Sequence, residues 1–335
     1  MRALVVNEPG HVEVREWNVA DLQMGEALVT PLLGGMCGTD LELIDGSIDP
    51  AYVRYPLVLG HEWVGKLERD LAGVGPAGAH VVVEGVIPCG VCDACVRGAS
   101  NLCVTYDEIG FTRPGALAEH VSVPASLVHR VEDRVDLDDA VLIEPMAVVW
   151  RALTRLPLRT GQTVAVVGDG TIALLAAHLV RLFEPSSVTV IGRRLEQGEL
   201  AKQAGADEFV LDSASSRFDV VIEAAGTGAA VANALALCAR GGMVILLGLP
   251  PHGTTVTFAP DDLVNNDIII QGSFSYTRQS FADVVRRVNS GDLRPGFLIT
   301  QRFALENALE AVETLRGSGS DDAPRGKVVV SLAED

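Results

Sequence analysis

The sequence predicts an α/β protein in which a β-rich part precedes a doubly wound parallel sheet. Residues 1–150 contain short apolar or alternating runs separated by clusters of Gly, Pro and Asp, a pattern typical of strands joined by turns. Beyond Leu158–Gly161 apolar strands alternate with helical patterns, and this alternation indicates βαβ units. A chain of 335 residues is also long enough for two domains.

The individual elements follow in chain order. In the first part, strands are predicted at Ala27–Pro31, Val81–Glu84 and His120–Pro124. In the second part, strands are predicted at Val164–Gly168, Val188–Ile191, Glu208–Leu211, Val220–Ala224, Met243–Gly248 and Asp267–Gly272. Helices are predicted at Ile172–Phe183, Glu196–Ala204, Ala229–Ala239, Gln279–Ser290 and Leu305–Arg316. A polar loop (Gly317–Pro324) and a strand (Lys327–Leu332) follow, and Cys238 is interpreted as a small buried residue of the third helix.

The composition limits the possible partners. The formal net charge of −18 disfavours nucleic acid and anionic membranes, because few basic side chains are available to neutralise phosphates. The apolar stretches are much shorter than a membrane span, and the first residues lack the pattern of a secretory signal. We therefore expect a soluble, cytoplasmic protein that acts on small molecules, with no nucleic acid or membrane as partner.

Four cysteines within fifteen residues form the most informative local motif: Cys89, Cys92, Cys95 and Cys103. Their spacing allows four thiolates to converge on one tetrahedral ion, and zinc accepts this ligand set. A disulfide pair is the first alternative, and the absence of a secretory signal argues against it. An iron–sulfur cluster is the second, and spacing alone leaves it open. We predict a structural zinc, since four protein ligands leave no position for a substrate.

A glycine-rich turn predicts a dinucleotide site. Gly168-Asp-Gly170-Thr-Ile-Ala173 follows an apolar strand and opens a helix. Gly168 permits the tight turn, Gly170 permits close approach to a pyrophosphate, and Ala173 keeps the helix near the sheet. The N–H groups at the start of the helix favour bound phosphate. The motif is weak alone, but within a βαβ series it predicts dinucleotide binding.

The end of the next strand bears on the choice of cofactor. A site that prefers NAD usually has Asp or Glu there, whereas this chain has Gly192 followed by Arg193 and Arg194. We expect Gly192 to leave that space empty, and the two guanidiniums to suit a 2′-phosphate. A solvated basic turn is the alternative. The pattern favours NADP, with NAD possible.

A second metal site is predicted in the β-rich part. Cys37-Gly-Thr39-Asp40 and Gly60-His61-Glu62 each place a metal-binding side chain beside a glycine. One thiolate and one imidazole are two ligands of a catalytic zinc, which keeps a position open for substrate. Taken separately, Cys37 and His61 would more often be buried core residues. The cysteine motif and the nucleotide motif together favour the metal.

In this order, the motifs resemble the zinc-dependent medium-chain dehydrogenase/reductase superfamily over essentially the whole chain. The motifs that carry the resemblance are Cys37-Gly-Thr-Asp40, Gly60-His-Glu62, the Pro88–Cys103 lobe, Gly115-Ala-Leu-Ala-Glu-His120, Ile143-Glu-Pro145, Gly168-Asp-Gly170 and Gly272-Ser-Phe274. The resemblance implies a groES-like β-rich catalytic domain (1–155, with the zinc lobe at 88–103), a Rossmann domain (156–290) and a C-terminal return to the catalytic domain (291–335).

The resemblance also implies a set of site residues. Alcohol dehydrogenases of the superfamily use a cysteine as third ligand of the catalytic zinc, whereas the sorbitol dehydrogenase-like branch uses the Glu of a Glu-Pro pair. This chain has Glu144-Pro145 and resembles the second branch. Asp40 then orients His61, Thr39 passes a proton toward solvent, and Glu62 is an alternative ligand. Further cofactor contacts are implied at Thr171, Ile172, Gly248, Ser273 and Phe274.

The implied protein is a zinc-dependent oxidoreductase that transfers a hydride between a polyol, sugar or cyclitol and NAD(P), with two zinc ions per chain. Alternatives are a secondary alcohol or an amino acid such as threonine as substrate, and a metal-free quinone or enoyl reductase. Glu42 stands where threonine and sorbitol dehydrogenases usually have His, which disfavours those two substrates. A nucleic acid-binding zinc module and a non-catalytic cofactor-binding protein are less favoured. A homodimer or homotetramer is expected through the apolar run Met243–Pro250, for which an ordinary buried strand of the same sheet is the alternative.

Overall fold

The computed structural model describes residues 1–18, 22–211, 216–317 and 323–332, and these form two compact units. The first unit comprises the chain up to Glu144, the stretch that begins at Thr277, and the last strand from Lys327. The second unit comprises Pro145–Tyr276 and the short passage that ends at Gly326. Within the described residues, no helix is long and apolar enough to cross a membrane.

The first unit consists mainly of strands. Its strands are β1 (Arg2–Glu8), β2 (His11–Glu16), β3 (Glu26–Met36), β4 (Leu57–Val58), β5 (Glu62–Leu67), β6 (His80–Val83), β7 (Val86–Ile87), β8 (Asp107–Glu108), β9 (Val121–Pro124), β10 (Val128–Arg130), β17 (Ile299–Ala304) and β18 (Lys327–Ser331). Its helices are α1 (Gly38–Asp45), α2 (Asp93–Val96), α3 (Leu137–Ala140), α9 (Arg278–Ser290) and α10 (Ala308–Arg316).

The largest sheet of this unit has the order β10-β6-β5-β3-β18-β17, with β9 also paired to β3. The order brings the last strand of the chain, β18, beside β3, which lies near the beginning. Alternate residues of β3 are buried up to Leu33, and its last residues are buried on both faces. Val29, Trp63 and Val81 pack on one side of the sheet, and Met36, Leu43 and Val328 pack in a second core. The strands that carry the site residues are therefore held between two cores.

The second unit is a six-stranded sheet in which every pair of neighbouring strands is parallel, in the order β13-β12-β11-β14-β15-β16. Its strands are β11 (Thr163–Val167), β12 (Ser187–Ile191), β13 (Glu208–Val210), β14 (Phe218–Glu223), β15 (Cys238–Leu246) and β16 (Ile269–Gly272). Its helices are α5 (Thr171–Val180), α6 (Gly198–Gln203), α7 (Gly228–Leu237) and α8 (Pro260–Asn266), and helix α4 (Ile143–Thr154) enters it from the first unit. The winding direction reverses between β11 and β14, where open sheets of this kind bind ligands. The predicted α/β class is confirmed.

The boundaries between the two units lie at Glu144/Pro145 and at Tyr276/Thr277, whereas the sequence analysis predicted domain boundaries at 155/156 and 290/291. The first difference arises because helix α4 contains the junction. The second arises because α9 belongs with the β-rich unit: the side chain of Asn289 accepts a hydrogen bond from Glu132 N (3.0 Å) and donates one to Arg130 O (3.1 Å).

Two predicted elements need correction. Cys238 is buried as expected, but it begins strand β15 instead of lying in the preceding helix, because its extended backbone pairs with Phe218 of β14. The segment Met243–Pro250 was expected to lie at a subunit interface; its strand, however, lies inside the sheet, and β16 forms the edge. Residues 318–322 of the predicted loop at Gly317–Pro324 lie outside the described residues.

Candidate functional site

The four cysteines of the lobe converge as predicted, with their sulfur atoms all within 4.8 Å of one another. The Sγ atoms of Cys89 and Cys95 are 3.9 Å apart, and those of Cys92 and Cys95 are 3.5 Å apart. Backbone N–H groups point at the sulfurs: Cys89 N donates to Cys103 Sγ (3.3 Å) and Cys92 N to Cys89 Sγ (3.4 Å). Helix α2 starts directly after Cys92, which turns the chain back toward the other three.

These distances fit one tetrahedral ion. Sulfurs at about 2.3 Å from a central zinc are roughly 3.8 Å from each other. The cysteines are free thiols, so the disulfide alternative is not realised. In an iron–sulfur cluster the thiolates bind different irons, which spreads the sulfurs further than one ion does. The lobe therefore has the donor set and spacing of a closed structural zinc site.

The acidities of the thiols point to the same conclusion. N–H groups of Val91 and Cys92 lower the pKa of Cys89 to about 6. Burial and the neighbouring Cys92 thiol raise the pKa of Cys95 to about 12. Without a cation, one thiolate therefore suppresses ionisation of the next. A bound metal ion removes this conflict, because it deprotonates its thiol ligands outright.

The second cluster forms where β3 and β5 run side by side. Cys37 follows β3 and caps helix α1, while His61 and Glu62 lie at the start of β5. Their donor atoms are all within 4.8 Å of one another. Gly60 has a φ of 103°, and a Cβ there would lie 2.7 Å from Leu117 N, so only glycine permits this approach. The predicted pairing of Cys37 with His61 agrees with this geometry.

Asp40 contacts both the backbone of Cys37 and the side chain of His61. Its Oδ2 accepts a hydrogen bond from Cys37 N (2.8 Å), and its Oδ1 lies 3.5 Å from His61 Nδ1. Since Nδ1 faces a carboxylate, Nε2 is the nitrogen that remains for a metal. Burial opposes a charged His61, but Asp40 and Cys37 nevertheless raise its pKa well above the usual value. The hydroxyl of Thr39 is 3.7 Å from Cys37 Sγ.

Half-buried carboxyl groups also lie near this cluster, and Glu144 is one of them. Burial and the charge of Glu62 raise the pKa of Glu144 to about 8, so the two carboxylates interact electrostatically. Burial raises the pKa of Glu108 to about 7, while His61 opposes the rise. Glu62 belongs to the group within 4.8 Å, and Glu144 does not. The geometry thus favours Glu62, the alternative ligand, more directly than Glu144.

A divalent cation fits these residues. Thiolate, imidazole and carboxylate are the donors zinc prefers, and donor atoms around a tetrahedral zinc are on the order of 3.6 Å apart. The carboxyl groups of Glu62 and Glu144 repel each other when both are ionised, and a cation would relieve that repulsion.

The predicted nucleotide residues lie at the carboxyl ends of the parallel strands. Gly168 follows β11, and a Cβ on it would lie 3.1 Å from the backbone of Ala224, which follows β14. Gly170 caps helix α5, whose first residues are Thr171 and Ile172. Residues predicted to contact the cofactor also follow three other strands: Gly192 after β12, Gly248 beyond β15, and Ser273 and Phe274 after β16. These positions form one edge of the sheet, as a dinucleotide site requires.

The surroundings of Gly192 correct one expectation. The space beside it is filled: a Cβ would lie 2.5 Å from Phe209 Cζ and 2.9 Å from Asp169 Cβ. Asp169 also engages the basic pair. Its carboxylate accepts hydrogen bonds from Arg193 N (2.9 Å) and Arg194 N (3.2 Å) and forms an ion pair with Arg194 Nη2 (3.1 Å). Burial favours the neutral acid, but Arg194 and Arg193 N hold the pKa of Asp169 below its usual value.

Sequence reasoning missed three residues of these sites. Asp169 occupies a variable position of the glycine motif, and the Arg-Arg pair at the end of the neighbouring parallel strand was the available signal. Glu108 directly follows the cysteine lobe, and no pattern in the sequence marked it. Lys327 forms a close ion pair with Glu62, and both side chains are buried. A lysine inside an apolar strand, which needs a buried counter-ion, was the signal for that pair.

A β-rich unit with two groups of metal-donor side chains, together with a parallel sheet that has a dinucleotide turn, defines a zinc-binding dehydrogenase. Residues 23–133 match the family model of the alcohol dehydrogenase GroES-like domain, and residues 170–290 match that of zinc-binding dehydrogenases. The chain is 34% identical over 302 residues to an L-threonine 3-dehydrogenase of Streptomyces avermitilis, which covers 84% of this chain and 85% of the relative.

Two further comparisons agree. The chain is 29% identical over 334 residues to a sorbitol dehydrogenase of Bacillus subtilis (strain 168), with 93% of each covered. A structure described as a zinc-binding dehydrogenase from Sinorhizobium meliloti 1021, bound to NADP, matches with a TM-score of 0.91, 28% identity and 98% of each chain covered. The chain belongs to the zinc-type medium-chain dehydrogenase/reductase superfamily and is an NAD(P)-dependent oxidoreductase, which confirms the predicted groES-like and Rossmann folds.

Proposed function

We propose that the protein is a dehydrogenase of a polyol, sugar or cyclitol that prefers NADP and holds two zinc ions per chain. The observation that carries this proposal is the cluster of Cys37, His61 and Glu62 with the half-buried carboxyl group of Glu144 near it. A thiolate, an imidazole and carboxylates form a harder donor set than two thiolates do, and such a set favours oxygen ligands such as hydroxyl groups. The other ion belongs to the four-cysteine lobe, where it stabilises the structure.

In this mechanism, each residue has a definite task. A zinc ion, when bound, polarises the substrate hydroxyl and lowers its pKa, which prepares hydride transfer to the nicotinamide. Cys37 and His61 would hold the ion, with Glu144 or Glu62 as third ligand. Asp40 fixes the tautomer of His61, since its carboxylate faces Nδ1. The hydroxyl of Thr39 accepts the substrate proton and passes it toward solvent.

The proposed preference for NADP depends on Arg193. The guanidinium of Arg194 is engaged by Asp169, whereas Arg193 is exposed and no described residue forms an ion pair with its side chain. A free guanidinium at the end of the second strand suits a 2′-phosphate. The relative bound to NADP supports the same choice. Gly168, Gly170, Thr171 and Ile172 would hold the pyrophosphate by backbone N–H groups, and Gly248, Ser273 and Phe274 would contact the nicotinamide half.

A cavity in the first unit supports a substrate rich in hydroxyl groups. It has a volume of about 300 Å³, and its walls include Tyr52, Arg54, Tyr106 and Asp107. The two tyrosine rings are stacked 6.1 Å apart, and Arg54 pairs with Asp107 at 3.4 Å. Stacked rings beside an ion pair offer both an apolar face and several hydrogen-bonding groups, as a polyol requires. Arg54 N also donates to the carbonyl of Phe111 (3.0 Å).

Phe111 links this cavity to the metal cluster, because its ring lies 5.3 Å from the ring of His61. Phe111 thus contacts both His61 of the cluster and Arg54, which lines the cavity. We propose that the residues lining this cavity select the substrate.

L-Threonine is the second candidate substrate, because the 34% identical relative acts on it. Glu42, on helix α1, distinguishes the candidates. Burial raises its pKa, and a neutral or anionic carboxyl group there differs from the imidazole usual in threonine dehydrogenases of the superfamily.

The test is a panel of polyols, sugars, aminocyclitols and L-threonine with NADP, read by NADPH absorbance. Cys37→Ser should abolish activity, while Cys238→Ser, which changes a thiol in the other unit, should retain it. Oxidation of L-threonine alone would decide for the second candidate. Failure of every alcohol with both cofactors would refute the proposal.

We further propose a homodimer or homotetramer in which strand β16 continues the sheet into a second copy. The strand is at the edge of the parallel sheet, and its side chains Ile269 and Ile270 are 48% and 37% exposed. An exposed apolar edge strand is a template for pairing with another chain. This edge replaces Met243–Pro250 as the proposed interface.

A further inference from the structure

Lys327 is a buried cation beside the metal cluster. It begins strand β18, its side chain is 3% exposed, and its Nζ forms a close ion pair with Glu62 Oε2. Glu62, Cys37 and Asp40 all interact electrostatically with its side chain, and a lysine buried in a protein needs such partners. The lysine therefore brings a basic group to a cluster of metal-donor side chains.

The strands of the sheet are arranged to accommodate this pair. Gly35 of β3 lies between Glu62 of β5 and Val329 of β18 in the register of the sheet. A Cβ on Gly35 would lie 2.8 Å from Glu62 Oε2 and 2.8 Å from Lys327 Cε. The lysine thus reaches across β3 through the space that glycine leaves, and any other residue at position 35 would displace the pair.

Because of this ion pair, the two carboxylate oxygens of Glu62 lie in different environments. Oε2 is engaged by Lys327, while Oε1 lies 4.0 Å from His61 Nε2, the nitrogen that remains available for a metal. A carboxylate that shares its charge with an ammonium ion is a weaker donor to a metal than a free one. Glu62 is thus near enough to bind a metal, but its ion pair with Lys327 competes with metal binding.

We propose that Lys327 is a positioning residue that weakens Glu62 as a metal ligand and so keeps one coordination position of the cluster exchangeable. This inference rests on the proposed zinc at Cys37 and His61. If Glu62 bound permanently together with Cys37, His61 and Glu144, the ion would have four protein ligands, as in a closed structural site. The amino group of Lys327 keeps Glu62 from occupying the fourth coordination position. That position then remains available to the substrate hydroxyl.

The test measures metal exchange and does not require turnover. In Lys327→Met, zinc release from the exchangeable site to a chelator should be at least tenfold slower than in the wild type, because Glu62 becomes a permanent ligand. A purely structural role predicts the opposite sign, since a loosened site loses its metal faster. Lys327→Arg keeps the charge and should stay within threefold of the wild type.

A second measurement uses Co²⁺ in place of the exchangeable zinc and titrates imidazole, which shifts the visible spectrum when it enters an open position. Lys327→Met should weaken imidazole binding at least tenfold. The double variant Lys327→Met/Glu62→Gln should restore it to within threefold of the wild type. Cys37→Ala supplies the spectrum of protein without this site.

Several outcomes overturn the inference. One is a Lys327→Met protein with wild-type or faster zinc release and unchanged imidazole binding. If that variant fails to fold, Glu62→Gln decides alone: release within threefold of wild type supports the proposal, and tenfold faster release shows that Glu62 is a resident ligand. A wild-type protein that holds metal only in the cysteine lobe refutes the proposed function itself, and the role of Lys327 with it.

Discussion

The two arginines after strand β12 should respond differently to mutation. Arg194 and Asp169 form an ion pair 3.1 Å apart, so their charges largely cancel. Arg193 is exposed, and only its backbone N–H is bound to Asp169, at 2.9 Å. Any discrimination between NADP and NAD should therefore depend on the Arg193 guanidinium. Removing Arg194 together with Asp169 should leave the net charge near the 2′-phosphate unchanged.

The expected magnitude follows from one charge-assisted contact. Such a hydrogen bond contributes about 1.5–3 kcal/mol when it is well aligned. Because Arg193 is exposed and screened by salt, we take the lower end, about 1.5 kcal/mol. At about 1.4 kcal/mol per decade, this is roughly tenfold in the ratio of specificities. Arg193→Ala should therefore lower the NADP/NAD ratio of kcat/KM about tenfold, mainly by raising KM for NADP.

The assay compares kcat/KM for both cofactors with any accepted substrate. The matched control is Arg194→Ala/Asp169→Asn, which removes both charges and keeps an oxygen to accept the backbone N–H of Arg193. Its ratio should stay within threefold of the wild type. The reasoning fails if Arg193→Ala keeps the wild-type ratio, or if the double variant loses the preference. Gly192→Asp is unsuitable here, because its side chain would collide with Phe209.

Three further predictions concern metal, ligand and assembly. Elemental analysis should find about two zinc ions per chain, and Cys95→Ser should lower the melting temperature more than Cys238→Ser does; one zinc in fully loaded protein would contradict the second site. Glu144→Ala should abolish turnover and leave cofactor affinity, measured by fluorescence titration, nearly unchanged; near-normal turnover would assign ligation to the carboxylate at the start of β5. Ile270→Lys should reduce the mass seen by light scattering, whereas Met24→Lys, a fully exposed site in the other unit, should not; a wild-type monomer at micromolar concentration would remove the interface.

Local sequence patterns were sufficient for the features whose parts are near each other in the chain. The spacing of Cys89, Cys92, Cys95 and Cys103 determines that they can reach one ion, and the structure brings them together. The glycine turn at Gly168 was equally clear, because the strand before it and the helix after it show their own periodicities. Both predictions needed only local geometry.

Other features depend on contacts between distant segments, and local patterns do not encode them. The pair of Glu62 with Lys327 exists because β18 inserts beside β3, and no periodicity states which strands become neighbours. The space beside Gly192 is filled by Phe209, a residue of the next strand, β13. Cys238 was assigned to a helix from composition, whereas its pairing with Phe218 decided for a strand. In each case tertiary contacts outweighed local preference.

The position of β18 also affects how the protein is made. Ribosomes add about 5–20 residues per second, so Lys327 emerges on the order of tens of seconds after Glu62. During that interval β3 lacks its partner on one side, and the nascent chain presents an open strand edge together with an unpaired carboxylate. The cluster of Cys37, His61 and Glu62 thus gains its lysine partner only near the end of synthesis, and metal captured earlier would meet a Glu62 that is still free to bind it.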